Sequence, residues 1–202
     1  MPLVALVFRD NAQTTKPAHR GARYVCGLVD LDAIGQQLRR ECLAVGIDRA
    51  DQVIALTDGG AGLEECLTTA LAGIVKHLIF ILDFWHAAQH LQEFAKVFIR
   101  EETAREEQMK TWCHLLKHAG GAVLLRELES LDLTTASPLV IEAHRQLTGY
   151  VRNNLHRMDY PTYVQNGWQI GSGRVESACK SVVACRLKGP GMRWRPRGTN
   201  AL

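Results

Sequence analysis

The first apolar run, residues 3–8 (LVALVF), carries two valines and is bounded by Pro2 and by Arg9-Asp10. A compact apolar stretch between such breakers predicts a buried strand. Residues 11–21 are polar, and residues 23–28 predict a second strand. The period then changes: Leu31, Ile34, Leu38 and Leu43 fall on or near one face of a helix over residues 30–45, which Gly46 ends. Residues 53–56 (VIAL) form another β-branched run, followed at once by Thr57-Asp58-Gly59-Gly60. Asp58 therefore stands at the end of a buried strand, and the glycines open a tight turn. Residues 63–71 read as a helix, and residues 78–82 (LIFIL) as a strand that ends at Asp83, before Phe84-Trp85-His86. Strand, helix, strand predicts a parallel pair. Two acids then leave the carboxyl ends of neighbouring strands, the edge where open α/β sheets place their sites.

Residues 87–118 hold no Gly or Pro, and Leu91, Phe94, Ala95, Phe98 and Ile99 make an apolar stripe beside the strongly charged residues 100–107. This predicts a long amphipathic helix, continuous or broken once, that Gly120-Gly121 stops. Residues 122–131 and 138–150 predict further helices, and no strand signal appears before Tyr163. A helical block over residues 87–165 is thus set into an α/β frame of residues 1–86. The frame returns over residues 166–192, where Gly171-Ser172-Gly173 leads into a helix over residues 175–187 with Glu176 in its first turn. Residues 193–202 form a basic tail.

Composition narrows the class. The 202 residues are 47% hydrophobic and 22% charged with 6 Pro, which suits a globular domain, or a domain carrying an insertion, and not a disordered or fibrous chain. No apolar run approaches the length of a membrane span, and Met1 opens onto no signal-peptide pattern, so a cytoplasmic protein with no membrane partner is expected. The 6 cysteines form no C-x-x-C pair and no ladder, which points to reduced structural thiols. The net charge is +3, but residues 171–202 carry seven basic residues against Glu176, leaving 17 basic and 20 acidic residues in the rest of the chain. A basic end on a mildly acidic body suits a polyanion.

Asp58, Asp83 and Glu176 are the acids that backbone punctuation would hold at fixed places. Convergent carboxylates bind hard cations, and a pair of Mg²⁺ ions can activate a water or a 3′-hydroxyl in phosphodiester transfer. The plain alternative is that each acid is a solvated turn or cap residue. Asp83, His86 and His90 could instead offer zinc ligands, although no Glu follows His86 as metalloprotease chemistry requires; His86 more naturally orients a carboxylate or a phosphate. The Gly-Ser-Gly loop before a helix is an anion-binding arrangement without the Lys-Ser/Thr of a nucleotide-binding P-loop. Arg174, Lys180, Arg186, Lys188 and Arg193 fall on or after that helix, and Trp168 and Trp194 flank it as surfaces for stacking bases or for packing in a core.

The order TDGGAG, then ILDFWHAAQHL, then IGSGRVESACKSVVACRLKGPGMRW resembles the DDE-type transposases of bacterial insertion sequences, specifically the ISKra-type family. The resemblance covers essentially the whole chain. It implies a ribonuclease-H-like core with an all-helical insertion between the second and third catalytic acids. Asp58 is similar to the second acid and Glu176 to the third, the two that hold Mg²⁺, while Asp83 and His86 are similar to the adjacent D/C-x-x-H element, as ligand or support. Arg174, Lys180, Arg186, Lys188, Arg193 and Trp194 are then the residues expected on DNA.

The family's first acid lies on an additional strand upstream, beside an amino-terminal DNA-binding region, and its sequence continues beyond the G-M-x-W block. The expectation is a transposase fragment truncated at both ends, with its first strand missing, that would cut and join DNA at insertion-sequence ends only when complete. Alone it is expected to be inactive. The alternative is a non-catalytic DNA-binding or interaction remnant that pairs with intact transposase and interferes with it. An unrelated metal-dependent nuclease would need its first acid from Asp10 or Asp32.

Overall fold

The computed structural model describes residues 3–8, 22–27 and 30–173. Their architecture is α/β and mostly helical. They divide into two compact units, one holding the described residues up to Ala55 together with Gly60–Ile79 and Ser172–Gly173, the other Leu56–Gly59 together with Phe80–Gly171.

In the first unit, β1 (Leu3–Val7) pairs antiparallel with β2 (Arg23–Gly27), with Ala5 opposite Val25 and Val7 opposite Arg23. Helix α1 (Leu31–Val45) begins where the Asp30 carboxylate accepts the Ala33 N–H at 2.8 Å, and ends at Gly46, whose φ of 82° only glycine adopts without strain. Ile34, Leu38 and Cys42 share one face at four-residue spacing and are buried with Val25, Ile47 and Leu71. Leu43, predicted on or near that face, is exposed, because the stripe continues through Cys42 one position earlier. A short 3₁₀ turn, Ile47–Arg49, precedes β3 (Val53–Thr57), and α2 (Leu63–Leu71) packs against α1.

Burial pushes the Cys42 thiol from 9.0 up to about 11, with Glu41 adding a smaller repulsive contribution. The folded state favours the neutral thiol, so this contribution to stability is full below pH 9.0 and is lost as the pH rises toward about 11. Because the thiolate is the nucleophile, iodoacetamide at about pH 8 should alkylate Cys42 only after denaturation. Peptide mapping of native and denatured protein checks this, and native labelling at Cys42 would contradict its placement in the core.

Strand β4 (Leu78–Leu82) pairs with β3. The Val53 N–H donates to the His77 carbonyl at 2.9 Å, and the Asp83 N–H donates to the Thr57 carbonyl at 2.7 Å. Both strands thus start together and end together, which makes the pair parallel. Among the described residues the four strands form two separate two-stranded sheets, β1-β2 and β3-β4, and not one continuous sheet.

The second unit is built on five helices: α3 (Phe84–Phe98), α4 (Glu102–Ala119), α5 (Gly121–Glu129), α6 (Pro138–Asn154) and α7 (Tyr160–Gln165), with a 3₁₀ turn at Leu155–Arg157. The amphipathic stretch predicted over residues 87–118 is therefore two helices. Ile99 is extended, and the Glu101 carboxylate accepts the Thr103 and Ala104 N–H groups to restart the chain as α4. Helix α3 packs on α4 and α6, and α4 on α5 and α7. At the centre Phe94 stacks on Phe98 and Trp112 at centroid distances of 5.1 and 5.8 Å, among Leu91, Leu116, Leu124 and Leu128. Tyr160 is fully buried and donates its hydroxyl to the Leu82 carbonyl at 3.0 Å, which ties α7 to the end of β4. No helix among the described residues is long and apolar enough to cross a membrane.

Candidate functional site

The site begins where β3 and β4 end. Thr57 closes β3, Asp58 leaves it, and Gly59 turns the chain with a φ of 84°. Leu82 closes β4 and Asp83 follows, 2% exposed, with its backbone N–H on the Thr57 carbonyl. The parallel ladder thus brings the two acids to one edge.

Asp83 has a second task. Its Oδ1 accepts the N–H groups of Trp85 at 2.7 Å and His86 at 3.2 Å, making it the N-cap of α3. A carboxylate there meets otherwise unsatisfied donors and the positive end of the helix dipole. This capping lets α3 begin at Phe84, three residues before the helix predicted from the apolar stripe, and it fits Asp83 for supporting the site.

The segment leading toward Glu176 returns to the same place. The Phe84 N–H donates to the Ile170 carbonyl at 2.8 Å, and Gln169 donates through Nε2 to the Gly171 carbonyl at 2.6 Å. At Gly171 a Cβ would stand 2.8 Å from Trp85 Cδ1, so a larger residue there would displace the indole. Trp85 is 65% exposed, and the edge of its indole rests on that glycine. Glu176 itself lies outside the described residues, as do Asp10, Arg174, Lys180, Arg186, Lys188, Arg193 and Trp194.

His86 sits one turn from His90, their rings edge to face at 5.2 Å, and His90 lies against the Tyr150 ring at 3.9 Å. Burial, followed by the neighbouring His86, lowers the His90 pKa, while Glu93 opposes both. Among the described residues no three His, Cys, Asp or Glu side chains gather as a metal would require, so Asp83, His86 and His90 do not form a ligand cluster. Trp168, one of the two candidate stacking surfaces, packs instead on Tyr163 at 5.9 Å. Asp30 caps α1, and Asp32 is exposed in that helix's first turn.

Three polar residues that the sequence reading passed over complete the site. Tyr150, Asn154 and Arg157 follow one another at i, i+4 and i+7 along α6 and the turn after it. Asn154 donates to the Tyr150 carbonyl at 2.7 Å, and its own oxygen accepts from Arg157 Nε at 2.9 Å and Nη2 at 2.5 Å. Arg157 Nη1 reaches Thr57 Oγ1 at 3.4 Å. The Tyr150 hydroxyl is buried without a hydrogen-bond partner among the described residues. Desolvation pushes its pKa up to about 12; Arg157 opposes that rise, while Asp58 and Asp83 add to it. One buried oxygen therefore lies within electrostatic reach of both acids and the guanidinium.

Comparison with protein-family profiles, with curated proteins and with solved structures finds no match to the chain.

Proposed function

We propose that the chain is part of a DDE-type transposase of the ISKra type, with a ribonuclease-H-like core and a helical insertion, acting on DNA at insertion-sequence ends. One observation carries the reading: Asp58, Asp83 and the run-up to Glu176 all meet at the carboxyl ends of the parallel pair β3-β4. The helices that follow β4 without an intervening strand support an insertion between the second and third acids. As a bacterial insertion-sequence protein it would work in the cytoplasm.

In this reading Asp58 and Glu176 hold Mg²⁺, since carboxylate oxygens are the donors this hard cation takes. The bound ions would supply Lewis-acid activation of a water or 3′-hydroxyl and stabilise the leaving oxygen. Asp83 holds α3 in place through its cap, and His86 stands one turn away as a second supporting group. Arg174, Lys180, Arg186, Lys188 and Arg193 would neutralise DNA phosphates, with Trp194 as a stacking surface.

Binding of a labelled DNA duplex, followed by fluorescence anisotropy, tests the first half. Affinity should fall roughly 10³-fold between about 50 and 200 mM salt, and Arg186→Glu with Lys188→Glu should reduce the salt slope by about two. Calorimetric titration with Mg²⁺ tests the second half, with Asp58→Asn and Glu176→Gln each removing most of the heat. DNA binding without a Mg²⁺ response leaves the non-catalytic remnant that interferes with intact transposase. Binding of neither overturns the reading.

A further inference from the structure

We propose that Arg157 is a positioning residue for the acid pair: its guanidinium fixes the end of β3 from which Asp58 leaves and balances the negative charge that Asp58 and Asp83 bring to one strand edge. The inference goes beyond the DNA reading and stands without it, because it needs only the two carboxylates.

Arg157 is 7% exposed, an uncommon place for a permanent cation unless its charge is matched. Its guanidinium lies beside the residues on either side of Asp58 in the chain. On one side Nη1 meets Thr57 Oγ1 at 3.4 Å; on the other, a Cβ at Gly59 would stand 3.6 Å from Nη2. Asn154 accepts two N–H groups of the guanidinium and holds its plane. Asn154 and Thr57 are neutral, so they orient Arg157 without cancelling its charge. The Tyr150 hydroxyl, 3.8 Å from the same Cβ position, lies in the field of all three charged groups. Asp83 is buried as well while Asp58 is exposed, so Arg157 is a buried positive charge at the edge where the two carboxylates leave their strands.

Thermal unfolding of the full chain in the presence of a chelator tests this through a double-mutant cycle. Arg157→Gln should lower the midpoint by roughly 6–15 °C, because it removes a buried cation's bonds to Asn154 and its charge beside the buried Asp83 carboxylate. Asp58→Asn should lower the midpoint in the wild-type background and raise it in the Arg157→Gln background, because removing the carboxylate relieves the charge left uncompensated. Arg157→Lys, which keeps the charge and loses the fork on Asn154, should retain at least half of the midpoint difference. An Asp58→Asn shift of the same sign and size in both backgrounds would show that Arg157 only packs and bonds locally, and the proposal would fail. If Arg157→Gln yields no folded protein, recovery of folded protein by added Asp58→Asn reads the same coupling. Lack of recovery overturns it.

Discussion

Trp112→Ala is expected to lower the unfolding free energy by about 3–5 kcal/mol, a large share of the stability of an ordinary domain. The indole is fully buried in α4, stacked at 5.8 Å on Phe94, which in turn stacks on Phe98 and meets the His144 ring at 5.8 Å. His144 is not free to follow a collapsing core, because its Nε2 donates to the Leu128 carbonyl at 2.8 Å. The cavity would therefore stay largely open, which puts the cost toward the upper end of the range. Trp112→Phe should behave differently. The indole Nε1 has no hydrogen-bond partner among the described residues, so phenylalanine removes an unsatisfied buried donor while keeping most of the apolar contact. The expected loss is about 1 kcal/mol or less. Urea unfolding followed by far-ultraviolet circular dichroism separates the two, and equal losses for both substitutions would place the indole N–H against a partner.

Gly59→Ala is expected to lower the thermal midpoint by roughly 5–15 °C and to disturb the acid beside it. Two costs combine. A φ of 84° is left-handed, which an L-residue adopts at about 1–2 kcal/mol, and the new Cβ would stand 2.8 Å from Leu82 Cδ1. Leu82 is fully buried at the end of β4 and cannot swing into solvent, so relief requires movement of the turn that carries Asp58. Adding Leu82→Ala tells the two costs apart. It should destabilise less in the Gly59→Ala background than in wild type, because it removes the clash and leaves the strained backbone. Additive losses would mean that the turn moves freely, and the rigid placement of Asp58 would be lost with them.

Much of the frame was legible because its signals are local. The run VIAL before Asp58, the run LIFIL before Asp83 and the glycine after each turn or helix mark where the chain reverses, and α2 spans the predicted residues 63–71. The break between α3 and α4 was harder to place. It contains no Gly or Pro and rests on Glu101, a residue type that seldom caps a helix, together with an extended Ile99. The partition of four strands into two sheets was not legible either, since ladder partners are chosen across long separations. Arg157 meets Thr57 across 100 residues of sequence. Its local trace is faint: the apolar face of α6, through Leu147 and Val151, gives way to Asn154 and Arg157, which are buried although polar. A helix face that changes from apolar to hydrogen-bonding while staying inside is the signal that was available, and periodicity of hydrophobic residues alone passes over it.

The composition of the helical unit has a kinetic consequence. The α3–α4, α4–α5 and α5–α6 contacts join consecutive helices, so they close short loops and form early in folding. Leu56–Gly59 belongs to the same unit but enters it from far upstream, separated by α2 and the first two residues of β4. Its bond to Arg157 closes the longest loop in the unit and pays the largest closure entropy. The edge that carries Asp58 is thus assembled last and opens first, and its amides should exchange with solvent ahead of those in α4 and α6 while the helices remain intact.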